Sequence, residues 1–254
     1  MNKFTIGAIA AILLAFGGLV VWSSLNTDNK INLDSYNTAK AIPADENNGN
    51  IGDHYRGKEN ADIVVVEYAD LQCPGCATMM PKMSKLYKQY GDRVGFIFRS
   101  YPIQGHQNAR SASAAAEAAG YQGLFWEMIE TMYDNRTDWI NIFDTEKRTN
   151  VYTDLFKKIA GDKGDLEKFK NDLSDANIQK KIDFDKSIGT KRDKVSATPS
   201  IYINGEAIDI DNTDEKVETI IEKKLNELLK NANLPTGPAE GTTDEKAESD
   251  SEEK

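Results

Sequence analysis

Val64-Val65-Val66-Glu67-Tyr68-Ala69-Asp70-Leu71-Gln72-Cys73-Pro74-Gly75-Cys76 sets both cysteines of this 254-residue chain directly after a β-branched run. The run starts at Asp62, has the length of a strand, and is apolar enough to lie in the middle of a sheet. From Pro74 to about Tyr90 the apolar residues Met79, Met80, Met83, Leu86, Tyr87 and Tyr90 recur at helical spacing. A second strand is read at Arg93–Arg99. Strand, helix and strand with short connections predict a right-handed βαβ unit, with the cysteines at its first strand-to-helix junction.

That position has a chemical consequence. Cys73 falls at or just before a helix N-terminus, where unpaired N–H groups and the macrodipole favour a thiolate. Cys76 lies one turn on, close enough to close a short disulfide. Pro74 suits a first helical turn, where its missing N–H has no partner to lose. Such a pair can attack, be attacked and resolve a mixed disulfide, with Cys73 as the exposed nucleophile and Cys76 as the resolving thiol. Two other readings compete. A structural disulfide framework usually uses more bridges closing longer loops. A metal site needs two more ligands, yet His54 and His106 are the only histidines and neither is near the motif in sequence. The expectation is no metal and no separate cofactor, the redox group being the Cys73–Cys76 disulfide itself. Glu67 reads in two ways: an exposed charge on an edge strand, or a buried acid relaying protons. Its neighbours Val65, Val66 and Tyr68 favour burial, which raises a carboxyl pKa.

Beyond the βαβ unit lies a long stretch of mostly helical pattern, with helices read at Ala109–Gly120, Leu124–Tyr133, Val151–Ala160 and Leu166–Leu173. Strand character returns at Ser200–Ile203. Asn204-Gly205 is a strong hairpin turn signal, and Glu206–Ile210 supplies the return strand. Val217, Ile220, Ile221, Leu225, Leu228 and Leu229 then mark one face of a last helix. The class is α/β: βαβ, a helical insert at about 104–192, then ββα, within an ordered part spanning 51–233.

The ends differ in kind. Phe4 to Trp22 is an uncharged apolar run, roughly 28 Å long as a helix against a hydrocarbon thickness of ~30 Å. Its exit, Val21-Trp22-Ser23-Ser24-Leu25, is a poor cleavage site. Residues 1–23 are therefore expected to be a membrane anchor, with a cleaved signal as the alternative; both place the domain outside the cytoplasm. Residues 24–50, rich in Asn, Asp, Ser and Thr, read as a flexible tether. Residues 234–254, with seven acids against two lysines, read as a disordered acidic tail. The formal charge of −10, with no basic cluster, argues against nucleic acid as a partner.

Taken in order, these motifs resemble the DsbA-like branch of the thioredoxin superfamily over about residues 51–233. The match is carried by Val64–Cys76, by Glu67 six residues before Cys73, by Pro81 five after Cys76, and by Thr198-Pro199 just ahead of Ser200–Ile203. Gly105-His106-Gln107-Asn108-Ala109-Arg110 and Phe125-Trp126 look like that branch's insert. The resemblance implies a thioredoxin fold with a helical insertion. It implies Glu67 as a buried acid beside the dithiol and Pro199 as a cis-proline whose preceding Thr198 backbone faces Cys73 and pairs with extended substrate. His106 reads as a loop or capping residue, and Met79, Met80 and Met83 as core or substrate-facing surface. Two positions depart from the pattern: Gly75 stands where many relatives carry His, and Ala197 where the branch often has Gly. Losing that His implies a less oxidising pair. The implied function is an extracytoplasmic oxidase of exported proteins with paired cysteines, recharged by a membrane partner of the DsbB or vitamin K epoxide reductase type. A reductase or isomerase of the same fold is the alternative, and a Cu(I)-binding module the alternative of another class.

Overall fold

The computed structural model describes residues 31–210 and 216–239. Its elements run β1 (His54–Gly57), β2 (Ile63–Ala69), α1 (Pro74–Tyr90), β3 (Val94–Ser100), α2 (Ala109–Gly120), α3 (Phe125–Asp134), α4 (Thr145–Ala160), α5 (Leu166–Asp172), α6 (Ala176–Ser187), β4 (Ser200–Ile203), β5 (Glu206–Ile208) and α7 (Val217–Asn231). One π turn, Ile188–Arg192, extends α6.

The strands form one mixed sheet in the order β1-β3-β2-β4-β5. β2 lies parallel to β3, with Glu67 opposite Phe98, and antiparallel to β4, with Glu67 opposite Ile201. All seven residues of β2 are buried because both faces of the sheet are covered. Ile63 and Val65 pack against Met79, Met83 and Leu86 of α1 and Ile221, Leu225 and Leu229 of α7. Val64, Val66 and Tyr68 face the other way, onto Ile42, Phe184 and Ile188. This two-sided burial explains why the β2 sequence shows no polar alternation. At Asn204 and Gly205 the backbone takes φ of 50° and 81°, the doubly positive pair of a type I′ hairpin turn.

The insert has its own core. The alanine face of α2, including Ala112, Ala115 and Ala119, packs with Met128, Met132, Trp139, Tyr152, Phe156 and Phe169. Trp139 is fully buried, and its Nε1 donates to the Met132 carbonyl at 3.0 Å. α4 begins six residues ahead of the expected Val151, because Asp144 caps it by accepting the Lys147 N–H at 2.8 Å.

Two elements escape a periodicity reading. β1 has only four residues and no apolar alternation; its pairing with β3 holds it. The buried face of α6 includes Lys181 and Asp185 beside Ile178, Ile182 and Phe184, so its apolar pattern is interrupted by charge.

The tether reading fails from Leu33 onward. Short turns at Leu33–Ser35 and Glu46–Asn48 are ordered, Asp45 caps the second, and Ile42 and Asn48 are buried. The polar composition belongs here to capping groups rather than to a solvated chain. The acidic tail also starts later than expected: the Arg93 guanidinium donates to the carbonyls of Pro235 and Gly237 at 3.1 and 2.9 Å. Residues 240–254, and the anchor expected at 1–23, lie outside the described residues. Among the described residues no helix is long and apolar enough to cross a membrane.

Candidate active site

Cys73 is the N-cap residue of α1, with extended backbone (φ −68°, ψ 128°), and Pro74 opens the helix. Its N–H donates to the Asp70 carbonyl at 2.9 Å, which closes the turn out of β2. Both thiols are free, and they differ in exposure: Cys73 is 9% exposed and Cys76 0%. A hydrogen bond from the Cys76 thiol, with the N–H groups of Cys76 and Gly75, outweighs burial and brings the Cys73 thiol down to about 5. Cys76 goes the other way. As the donor to Cys73, enclosed and facing the Glu67 carboxyl, it is pushed far above the ordinary thiol range. The hydrogen bond between the two sulfurs, with burial of Cys76, thus yields one acidic thiol and one that keeps its proton.

A direct consequence is testable. The reduced protein's thiolate absorbance should titrate near pH 5, and Cys73→Ser should remove that transition. Because the folded thiol is depressed below the ordinary 9.0, its stabilisation of the reduced protein is complete above pH 9. That stabilisation falls away as pH drops toward about 5. Denaturation midpoints of reduced wild type and Cys73→Ser across that range check the sign.

Glu67 shares the sheet face of Ile63 and Val65 by strand alternation and so lies under the start of α1. It is 5% exposed, and burial raises its carboxyl to about 7, opposed by Arg56. Arg56, on β1, is clamped between the rings of Tyr87 and Trp126 at 4.2 and 4.1 Å and bonded to Glu130 at 3.0 Å. Sequence reasoning passed over Arg56 because a single cation on a four-residue edge strand carries no pattern.

The Thr198–Pro199 bond is cis, and the Thr198 carbonyl oxygen lies 3.4 Å from Cys73 Sγ. A Cβ at Gly75 would meet Pro199 Cδ at 3.2 Å and Cys73 Sγ at 3.7 Å, so any side chain there would project over this proline loop. The five residues singled out in the sequence therefore gather at one end of the sheet. Pro81 lies inside α1, and Met79, Met80 and Met83 are core. The site also contains groups that sequence reasoning missed. Asp70 and Tyr133 are buried beside the dithiol, and the Tyr133 hydroxyl donates to the Asp70 carbonyl at 3.3 Å. An acid opening a turn ahead of a helix is a capping or Asx-turn signal, and that alone marked Asp70.

The thioredoxin family profile matches residues 49–223. The chain belongs to this family. Within it the chain is DsbA-like. Over 179 residues it is 32% identical to the probable disulfide bond formation protein D of Bacillus cereus, covering 66% of this chain and 77% of that protein. The solved structure of oxidised BdbD from Bacillus subtilis superposes with a TM-score of 0.58 at 23% identity, covering 76% of this chain and 98% of that one. The structure of α-DsbA1 from Wolbachia pipientis gives 0.56 at 21% identity, covering 71% of this chain and 92% of that one. Both share the fold. A Na(+)/H(+) antiporter NhaA 1 of Mycolicibacterium vanbaalenii is 28% identical over 156 residues, 60% of this chain. The chain spans under a quarter (23%) of that antiporter's length.

Proposed function

We propose that this DsbA-like protein is an extracytoplasmic oxidase that passes the Cys73–Cys76 disulfide to exported proteins with paired cysteines. The observation that carries the reading is the split between the thiols: Cys73 lowered to about 5, Cys76 raised. A stabilised thiolate favours the reduced enzyme, which makes the disulfide a stronger oxidant.

In this reading a substrate thiolate attacks Cys73 Sγ, the Cys73–Cys76 bond breaks, and Cys76 leaves and takes up a proton. The raised Cys76 makes it a poor leaving group unless it is protonated as it departs. Glu67, near 7, supplies that proton and regains one from solvent. The substrate's second thiolate then attacks its own sulfur in the mixed disulfide and expels Cys73 as a thiolate. Two electrons have moved to the enzyme, the substrate holds a disulfide, and of its two protons one stays on Cys76 and one enters solvent. The Thr198 backbone pairs with the extended substrate during this exchange. A membrane partner of the DsbB or vitamin K epoxide reductase type restores the disulfide, and the Phe4–Trp22 run holds the domain at the membrane.

Gly75, without the side chain many relatives place there, favours a second reading in which the dithiol is kept reduced and serves as a reductase or isomerase. Mixing the oxidised protein with a reduced two-cysteine peptide tests the first reading. The peptide should gain one intramolecular disulfide per enzyme, and a peptide left reduced would refute the proposal. In the same assay Glu67→Gln should slow Cys76 release on the order of a hundredfold, the low end for lost general acid catalysis. As pH rises through about 7 the wild-type rate should level off, while the Glu67→Gln rate keeps rising with the peptide's thiolate fraction.

A further inference from the structure

The turn between β2 and α1 is held to the helical insert by buried polar contacts that the exchange steps do not use. The Asp70 carboxylate is fully buried and accepts three hydrogen bonds: from the Gln72 N–H at 2.7 Å, the Ile103 N–H at 2.8 Å and His106 Nδ1 at 2.7 Å. The main chain of the same residue touches both cysteines. Its carbonyl accepts the Cys73 N–H at 2.9 Å, and its N–H points to Cys76 Sγ at 3.5 Å. Gln72 is fixed to the insert as well. Its Oε1 accepts the Asn108 N–H at 2.8 Å, its Nε2 donates to the Ile140 carbonyl at 3.3 Å, and its own carbonyl accepts the Arg136 guanidinium.

The orientation of Asp70 is thus set by the β3-to-insert connection and read out at the sulfurs. A buried carboxylate with three donors, one of them an imidazole, is held by the stronger class of hydrogen bond. Its N–H stabilises Cys76 more as a free thiol or departing thiolate than as half of a disulfide, whose sulfur carries little charge. Its carbonyl keeps the Cys73 N–H paired, so that Cys73 stays at the cap position where the next N–H groups of α1 converge on its sulfur.

We infer that Asp70, locked in place by His106 and the Ile103 N–H, is a positioning residue that favours the reduced dithiol. The inference rests on the reading of Cys73 and Cys76 as a redox pair. The equilibrium that tests it is reduced protein plus oxidised glutathione giving disulfide protein plus two glutathione thiols, measured on the full chain. Asp70→Ala should shift it about tenfold toward the disulfide form, equivalent to about 30 mV for a two-electron couple. His106→Ala, which removes one donor of three from a side chain 31% exposed, should shift it about threefold the same way. His106→Ala, which leaves the Asp70 carboxylate in place, should also raise the pH at which Cys73 titrates. If Asp70→Ala does not fold, His106→Ala decides alone. A folded His106→Ala variant with the wild-type equilibrium constant, or one moved toward the reduced form, overturns the inference, even if it melts lower. A wild-type protein that does not exchange with glutathione removes the redox reading instead.

Discussion

Cys73→Ser should reduce disulfide transfer to a reduced peptide to the uncatalysed background, while Cys76→Ser, given a peptide cysteine activated as its thionitrobenzoate disulfide, should expel thionitrobenzoate and accumulate the peptide as a mixed disulfide on Cys73. The asymmetry follows from the site. Cys73 caps α1 and keeps 9% exposure, and Cys76 is closed off at 0%. An incoming thiolate reaches only the first sulfur. Once Cys76 is replaced, nothing inside the enzyme reverses the adduct, so it persists until the substrate's own second thiol resolves it. With a one-cysteine peptide activated in this way, the adduct on Cys76→Ser should be stable on non-reducing gels and be released by reductant, whereas wild type should release the peptide through Cys76. Neither variant should lose the fold, because the thiols are free and the helix keeps Pro74 at its start. Equal trapping by both variants would mean that the roles are reversed or shared, contrary to the burial.

The second large effect concerns stability. Asp53→Ala should destabilise the protein by about 3–5 kcal/mol, the cost of breaking a buried ionic network by removing one partner. Asp53, Arg99, Lys181 and Asp185 are all essentially inaccessible to solvent. Asp53 bridges the two cations, with Arg99 Nη2 at 2.7 Å and Lys181 Nζ at 3.0 Å. Burial alone would raise its carboxyl, but Lys181 and Arg99 together hold it well below the usual carboxylate range. Without it two buried cations share Asp185 and the distant edge of Asp193, which lies 3.9 Å from Arg99. For a chain of this size the loss corresponds to a fall in Tm on the order of 10 °C. Asp183→Ala is the control. It breaks the ion pair with Arg110 on residues 43% and 62% exposed and should cost under about 1 kcal/mol. Thermal melts of the two variants side by side decide it. Equal melting would mean that the network is not what joins the residue 33–53 strap, β3 and α6.

Much of this protein is legible in its sequence where one physical cue dominates. The β2 run, the junction of Cys73 with α1 and the Asn204-Gly205 turn all stand where local propensity and tertiary packing demand the same thing. The failures share a cause. Lys181 and Asp185 interrupt the apolar face of α6, and Asp53 looks like a surface acid, because charge in a sequence reads as solvated. The folded chain buries these residues against one another. Asp70 is hidden for the same reason: its partners Ile103 and His106 lie more than thirty residues away and are brought to it only by the β3-to-insert connection. The strap from Leu33 to Asn50 was obscured by composition, since Asp45 and Asn48 make a cap rather than a tether. Glu67 lies between these cases: its apolar neighbours announced burial, but not the opposing charge of Arg56.

The reduction potential of the Cys73/Cys76 pair, measured on the full chain against glutathione buffers, tests the central claim most directly. An acidic Cys73 and a protonated Cys76 predict an oxidising couple, between the ~−120 mV of the strongest disulfide donors and about −200 mV. A value at or below the ~−270 mV of thioredoxin would contradict the oxidase, and one below about −300 mV would mark a structural bond.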